Sequence, residues 1–285
     1  GFRKLGLKKG DRIAAFMPNI PETIIAMLAA TSIGAIWSST SPDFGIRGVL
    51  DRFTQIEPKI IIAADGYFYK REAFDTQEKL KGIMHDLPTV EYVVMVSYTG
   101  FTNYTAIPNT IRWDHLVQPI QEELTFEQLP FDHPLYIMFS SGTTGLPKSI
   151  VHSAGGTLIQ HLKELILHTN LQEDQVIFYY TTCGWMMWNW FVSSLAVGAT
   201  LVLYDGNPFY PTPDALLKMA AELKIDVFGT SAKYIAALEE AGVKPKEISH
   251  FPNLKIIAST GSPLTDDSFR YVYREWKKDV QLSSI

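Results

Sequence analysis

A single cysteine, Cys183, stands in 285 residues. It excludes an internal disulfide framework and any zinc cluster built on several thiolates, and it suits a reducing, cytoplasmic setting. Long apolar runs are missing as well. The longest, from Ile24 to Trp37, is interrupted by Thr31, Ser32 and Gly34 and falls short of the ~20 apolar residues that a membrane-spanning helix needs. No signal peptide or lipidation signal is visible. Nor is there a surplus of either charge. Against 30 acidic residues stand 25 basic ones, a net charge of -5, so no broad positive surface is expected for nucleic acid or an anionic membrane. Any phosphate that the chain binds must be held locally.

What the chain has is apolar material, 46% hydrophobic and 12% aromatic, enough for a large core in one or two folding units. Strand-like runs are predicted at Arg12 to Phe16, Lys59 to Ala63, Tyr92 to Val96, Val176 to Tyr180, Thr200 to Tyr204, Asp226 to Gly229 and Leu254 to Ala258. Amphipathic helical patterns lie between many of them: one from Pro21, then 45–56, 74–84, 158–167, 214–223, 232–241 and 266–276. β-branched runs alternating with helices predict an α/β fold of mostly parallel, buried sheets with helices on both faces. The stretch 98–130 is rich in Thr, Asn, Pro and acidic residues and reads as a connection between segments 1–128 and 129–285. Both ends look cut, and the chain reads as a fragment of a larger protein.

The segment YIMFSSGTTGLPKSIVHS, Tyr136 to Ser153, sets a hydroxyl-rich loop beside a fixed positive charge. A Walker-type loop places Gly directly before its Lys and opens a helix after it. Here Pro147 precedes Lys148, and Ser149 to Val151 read as a second strand, with a helix expected only after Gly155 and Gly156. The loop still suits an anion. Gly142 and Gly145 permit close backbone approach, Ser140, Ser141, Thr143 and Thr144 offer hydroxyls, and Lys148 adds a point charge. An isolated SSGTTG would be an ordinary surface turn; the strand-loop-strand setting makes a polyphosphate its expected guest.

With its flanks, SSGTTGLPKSIVHS resembles the phosphate-loop signature of the adenylate-forming enzymes, the superfamily of acyl-CoA synthetases, luciferases and nonribosomal-peptide adenylation domains. The likeness covers essentially the whole chain, including KKGDRIAAFMPNIPE near its start. It implies two α/β subdomains of the large N-terminal AMP-binding domain, without the C-terminal lid domain. It also implies a reaction: a carboxylate attacks the α-phosphorus of Mg-ATP, and coenzyme A then displaces AMP to leave a thioester.

Residue by residue, the resemblance implies that Thr143, Thr144 and Lys148 hold the leaving phosphates, with Ser140, Ser141, Gly142 and Gly145 shaping the loop. Gly261, Ser262 and Pro263, in IIASTGSPL, would lie against adenine. Trp185, Met186 and Met187, in TTCGWMMWNW, would line a short acyl pocket, although aromatic and Met stripes are more often core. Lys70 and Arg71 lie near where relatives hold coenzyme A, with a solvated basic pair as the plainer reading. Carried further by GWMMWNW, YDGNPFYP and STGSPL, the resemblance implies acetoacetate as the favoured acid, with acetate or propionate next and a non-catalytic adenylate-binding module as the remaining alternative. ATP, Mg2+ and coenzyme A are the implied small molecules. The Mg-binding acidic motif, the ribose ligands and the lid lysine are expected outside these residues, so residues 1–285 alone are expected to have little or no turnover. Cys183 reads as a buried small apolar residue, and His152 as structural.

Overall fold

The computed structural model describes residues 1–101, 107–118, 123–140 and 145–285. They form two compact units, Gly1–Ile159 with Thr182–Met186, and Gln160–Thr181 with Met187–Ile285. The expected break at residue 128/129 falls inside the first unit, because the strands that follow the 98–130 stretch join the sheet built by those before it.

The first unit holds β1 (Arg12–Phe16), β2 (Ile36–Thr40), β3 (Ile60–Ala64), β4 (Gly66–Tyr69), β5 (Glu72–Asp75), β6 (Tyr92–Val96), β7 (Thr110–Arg112), β8 (Pro134–Ser140) and β9 (Lys148–Ser153). Seven of them make one sheet in the order β7-β6-β3-β1-β2-β8-β9, parallel throughout except for the antiparallel β8–β9 pair. The runs IAAF in β1 and IIIAA in β3 are buried along their whole length, as strands covered on both faces must be. On one face Ala14, Phe16, Ile61, Ala63, Val93 and Met95 pack against Val49, Phe53 and Ile56 of helix α2 (Ile46–Ile56), and against Leu80 and Ile83 of a helix at Gln77–His85.

Two elements depart from the sequence expectation. β2, IWSST, carries too many hydroxyls to read as a strand. Its polar groups find partners: Ser38 Oγ donates to the Ile137 carbonyl at 2.9 Å, and Ser39 Oγ to the Cys183 carbonyl at 2.6 Å. The helix expected from Phe74 starts instead at Gln77. Glu72–Asp75 is the second strand of a hairpin with β4, and the Asp75 carboxylate accepts the Gln77 N–H at 2.7 Å. Between these strands Lys70 and Arg71 both take positive φ, 51° and 67°, the pairing that a two-residue type I′ turn requires.

Asp65, fully buried between β3 and β4, gathers the loop after β6. Its carboxylate accepts the N–H groups of Tyr98 and Thr99 at 2.8 Å, that of Gly100 at 3.0 Å and the Thr99 hydroxyl at 3.0 Å.

The second unit is a five-stranded sheet, parallel throughout: β10 (Val176–Tyr179), β11 (Thr200–Val202), β12 (Val227–Ser231), β13 (Ile256–Thr260) and β14 (Gln281–Ser284), in the order β11-β10-β12-β13-β14. Phe178, Phe228 and Ile257 pack with Leu216, Ile235, Tyr271 and Trp276, while Ile177, Tyr179, Val227 and Ile256 pack with Trp190 and Phe191.

In that second cluster the Tyr179 ring occupies the space over Gly229, where a Cβ would stand 2.0 Å from a ring carbon. Tyr179 also meets Trp190 edge-on at 5.9 Å, so it has nowhere to retreat. Gly229→Ala is expected to destabilise the second unit by about 1–3 kcal/mol through overpacking. A lowered urea midpoint would show it, and an unchanged midpoint would mean that the ring has room to move.

Candidate functional site

The hydroxyl-rich loop is carried by the β8–β9 hairpin, whose register sets Ser140 opposite Lys148 and Tyr136 opposite His152. Ser140 ends β8 and Lys148, exposed, opens β9. Gly145 adopts φ 103°, closed to most side chains. Ser141, Gly142, Thr143 and Thr144 lie outside the described residues. The strand-loop-strand arrangement matches the sequence reading. The following helix does not: it begins at Ala154 (Ala154–Leu162), with both glycines in its first turn. The Ala154 and Gly155 N–H groups are taken by the His133 and Phe131 carbonyls at 2.8 and 2.9 Å, and a Cβ on Gly155 would meet the Phe131 ring at 2.3 Å. Glycine is needed there for space rather than to delay the helix.

Next to the hairpin, within the first unit, lies a cleft of about 580 Å³. The carboxyl end of β2 brings Ser39 and Thr40 to it, β8 brings Met138, Phe139 and Ser140, and β9 brings Ile150 and His152. Phe44 and Arg52 come from the start and middle of the α2 region, and Gly184, Trp185 and Met186 from the segment after β10. Open α/β sheets bind ligands at the carboxyl ends of their strands, where Thr40 and Ser140 stand. Trp185 is 61% exposed and Met186 38%. Large apolar side chains left open beside convergent polar groups suit a small ligand with an apolar part.

The polar wall of the cleft is specific. Thr40 is buried, and its hydroxyl has no partner among the described residues. The Arg52 guanidinium lies 5.0 Å from the Phe44 ring centre and 5.9 Å from that of Phe139, and it donates to the Gly48 carbonyl at 2.6 Å. Partial burial draws its pKa below the ordinary value, with the neighbouring Asp51 carboxylate opposing. The His152 ring lies 5.0 Å from that of Tyr136 at a tilt of 39°, and burial lowers its pKa, which favours neutral imidazole. The Tyr136 phenol, itself buried, is pushed up to about 12 and stays protonated. The positive charge in the lining of this cleft is therefore that of Arg52, with His152 held neutral.

The remaining predicted residues lie elsewhere. Met187 packs against the core of the second unit near Trp190 and Tyr179, so the acyl trio divides: Trp185 and Met186 line the cleft and Met187 does not. Trp188 and Trp190 are buried, as a core stripe would be. Gly261, at φ 90°, with Ser262 and Pro263, forms an exposed turn at the carboxyl end of β13. Lys70 and Arg71 sit at the β4–β5 turn and do not line the cleft. Cys183 is buried, its Sγ 3.3 Å from the Pro18 carbonyl. Among the described residues no group of three or more His, Cys, Asp or Glu side chains is placed to hold a metal ion, and no helix is long and apolar enough to cross a membrane. Arg52, Thr40 and Phe44 escaped the sequence reading. The signal for Thr40 and Phe44 was the SSTSPDF turn at the end of β2, hidden with β2 itself, and Arg52 carries no sequence signal beyond a charged position on an amphipathic helix.

Comparison with known proteins bears on the whole chain. It is 51% identical over 290 residues to acetoacetyl-CoA synthetase of Mus musculus, covering 99% of this chain and 43% of that protein. It is 52% identical over 290 residues to acetoacetyl-coenzyme A synthetase of Rhizobium meliloti (strain 1021), covering 99% of this chain and 44% of the relative. The solved acetoacetyl-CoA synthetase from Streptomyces lividans superposes with a TM-score of 0.94 at 42% identity, over 99% of this chain and 44% of that one. The chain thus spans less than half the length of these relatives. The family described as AMP-binding enzyme matches residues 1–283. With its β8–β9 hairpin, its mostly parallel sheets and this end-to-end match, the chain belongs to the AMP-binding enzyme family.

Proposed function

We propose that this chain carries the phosphate-binding and acid-binding part of an AMP-forming acid–CoA ligase whose acid is acetoacetate. The observation that carries the reading is the β8–β9 hairpin, with Lys148 opposite Ser140, opening beside the cleft of Trp185 and Met186. A carboxylate attacks the α-phosphorus of ATP; the bond to the bridging oxygen breaks and pyrophosphate leaves. The thiol of coenzyme A then attacks the acyl carbon and AMP departs, leaving the thioester. Both relatives compared at about half identity carry acetoacetyl-CoA synthetase as their names.

Adenylation depends on positioning and on charge stabilisation at the phosphates. In this reading Lys148, Thr143 and Thr144 hold the leaving β- and γ-phosphates, and Ser140, Ser141, Gly142 and Gly145 form the loop around them. Gly261, Ser262 and Pro263 lie against adenine. Trp185 and Met186 bound the acid, whose small size follows from two bulky side chains in the cleft; Met187 supports that helix start from the core side. Lys70 and Arg71 stand at the β4–β5 turn outside the cleft, where a solvated basic pair is the plainer reading and a contact with the phosphates of coenzyme A the other. Magnesium enters with ATP as its counter-ion. Among the described residues no carboxylate lines the cleft, so none of its lining groups would hold that magnesium. The single buried cysteine suits the cytoplasm proposed for the protein.

Acid-dependent exchange of labelled pyrophosphate into ATP by the full-length protein tests the reading. Acetoacetate is expected to support exchange at least about tenfold better than acetate or propionate, since a polar group recognised by a site built for it discriminates more strongly than one methylene, worth ~1–3 kcal/mol. Preference for acetate would overturn the acid while sparing the reaction. ATP binding without any acid-dependent exchange would favour a non-catalytic adenylate-binding module.

A further inference from the structure

The phosphate hairpin is gripped at both ends of its loop by one face of α2. Arg52 and Gln55 are three residues apart, which puts their side chains on the same side of a helix. The Arg52 guanidinium lies over the ring of Phe139, the residue directly before Ser140, within the reach of a cation–π contact. Gln55 Nε2 donates to the carbonyl of Pro147, the residue directly before Lys148, at 2.9 Å. The same amide also donates to the Asp51 carbonyl of its own helix at 2.6 Å, and Arg52 to the Gly48 carbonyl at 2.6 Å, so the end of each side chain is held by its own helix as well as set against the hairpin. The helix itself is fixed by Val49, Phe53 and Ile56, all buried in the core of the first unit.

We infer that α2 is a positioning element for the phosphate loop, with Arg52 setting the Ser140 end and Gln55 the Lys148 end. Neither side chain is assigned a contact with a reacting atom. The expected consequence of loosening either end is a less pre-organised lysine and weaker phosphate binding, and at the Gln55 end the acid subsite is left intact because Gln55, unlike Arg52, does not line the cleft of Trp185 and Met186. This inference rests on the adenylation reading above.

The test is pyrophosphate exchange by the full-length protein, with ATP and acetoacetate varied separately and ATP affinity measured directly by calorimetry. Gln55→Glu keeps the size and removes the N–H donor. It is expected to lower kcat/KM for ATP by about 3- to 10-fold, the worth of one hydrogen bond, and to weaken ATP binding, with KM for acetoacetate within twofold of the unsubstituted protein. Gln55→Ala should match it. Arg52→Met is expected to lower kcat/KM for ATP likewise, with an effect on acetoacetate as well because Arg52 lines the cleft, and Arg52→Lys, which keeps the cation over Phe139, to recover part of the loss. Thr54→Ala, whose hydroxyl returns to the Leu50 carbonyl of its own helix, is the unaffected control. A merely structural role would lower the melting temperature without separating ATP from acetoacetate parameters, and that result overturns the inference. So does unchanged ATP affinity in both Gln55 variants. Absence of exchange in the unsubstituted protein overturns the adenylation reading itself, and the inference with it.

Discussion

Replacing Lys148 with alanine is expected to cut acetoacetate-dependent pyrophosphate exchange by about 10²- to 10³-fold, the usual loss when one preorganised donor to developing charge is removed. The reason lies in the hairpin. Lys148 opens β9 at the point where the register with β8 fixes it opposite Ser140, so its charge is delivered by backbone pairing rather than by a flexible loop. Folding should hardly notice the change, because the side chain is exposed and substitutions of that kind usually stay within about 0.5 kcal/mol. Lys148→Arg keeps the charge but spreads it over a planar fork, and partial recovery is expected. A rate within threefold of the unsubstituted protein, at an unchanged urea midpoint, would remove Lys148 from the proposed mechanism.

Asp65→Ala is expected to cost about 3 kcal/mol of stability while leaving every group of the cleft in place. Its carboxylate accepts three successive backbone N–H groups, from Tyr98, Thr99 and Gly100, and the Thr99 hydroxyl. Hydrogen bonds to a charged group contribute ~1.5–3 kcal/mol each, but the orphaned donors belong to residues open to water, which makes good part of the loss. Asp65→Asn keeps one acceptor oxygen and turns the other into a donor facing donors, and about half of the loss is expected from it. Urea unfolding measures both. Equal midpoints for Asp65→Ala and the unsubstituted protein would mean that the 97–100 loop holds itself.

Much of this fold is visible in hydrophobic pattern alone. RIAAF and YVVMV read as buried parallel strands and are strands with the same ends, while the neighbouring β-branched runs are strands with ends shifted by a residue or two. Parallel strands covered on both faces leave a nearly unbroken apolar signature. IWSST does not, since its hydroxyls are satisfied by partners distant in sequence, the carbonyls of Ile137 and Cys183, which no local pattern reveals. The β4–β5 hairpin was hidden for another reason: its turn uses Lys70 and Arg71 in left-handed conformations that usually call for Asn or Gly. At the site, the β8–β9 strand pairing was legible because Pro147 and the strand pattern after it rule out a helix. The division of Trp185 and Met186 from Met187 was not, because adjacent residues of a helix face different neighbours only once the tertiary packing is known. Arg52 looked like any charged residue of an amphipathic helix; its meaning came from the two rings around it.

β9 is the outermost of the described strands in its sheet, and Lys148, Ser149, Ile150 and Val151 are all exposed. A strand so placed presents unpaired N–H and C=O groups beside open apolar side chains, a template onto which another chain could add, and a lysine on such a strand is one of the devices that discourages this self-association. The charge that the proposed chemistry needs at the loop thus also guards solubility. Its removal couples two effects that dilution separates: a chemical deficit persists at low protein concentration, whereas aggregation fades.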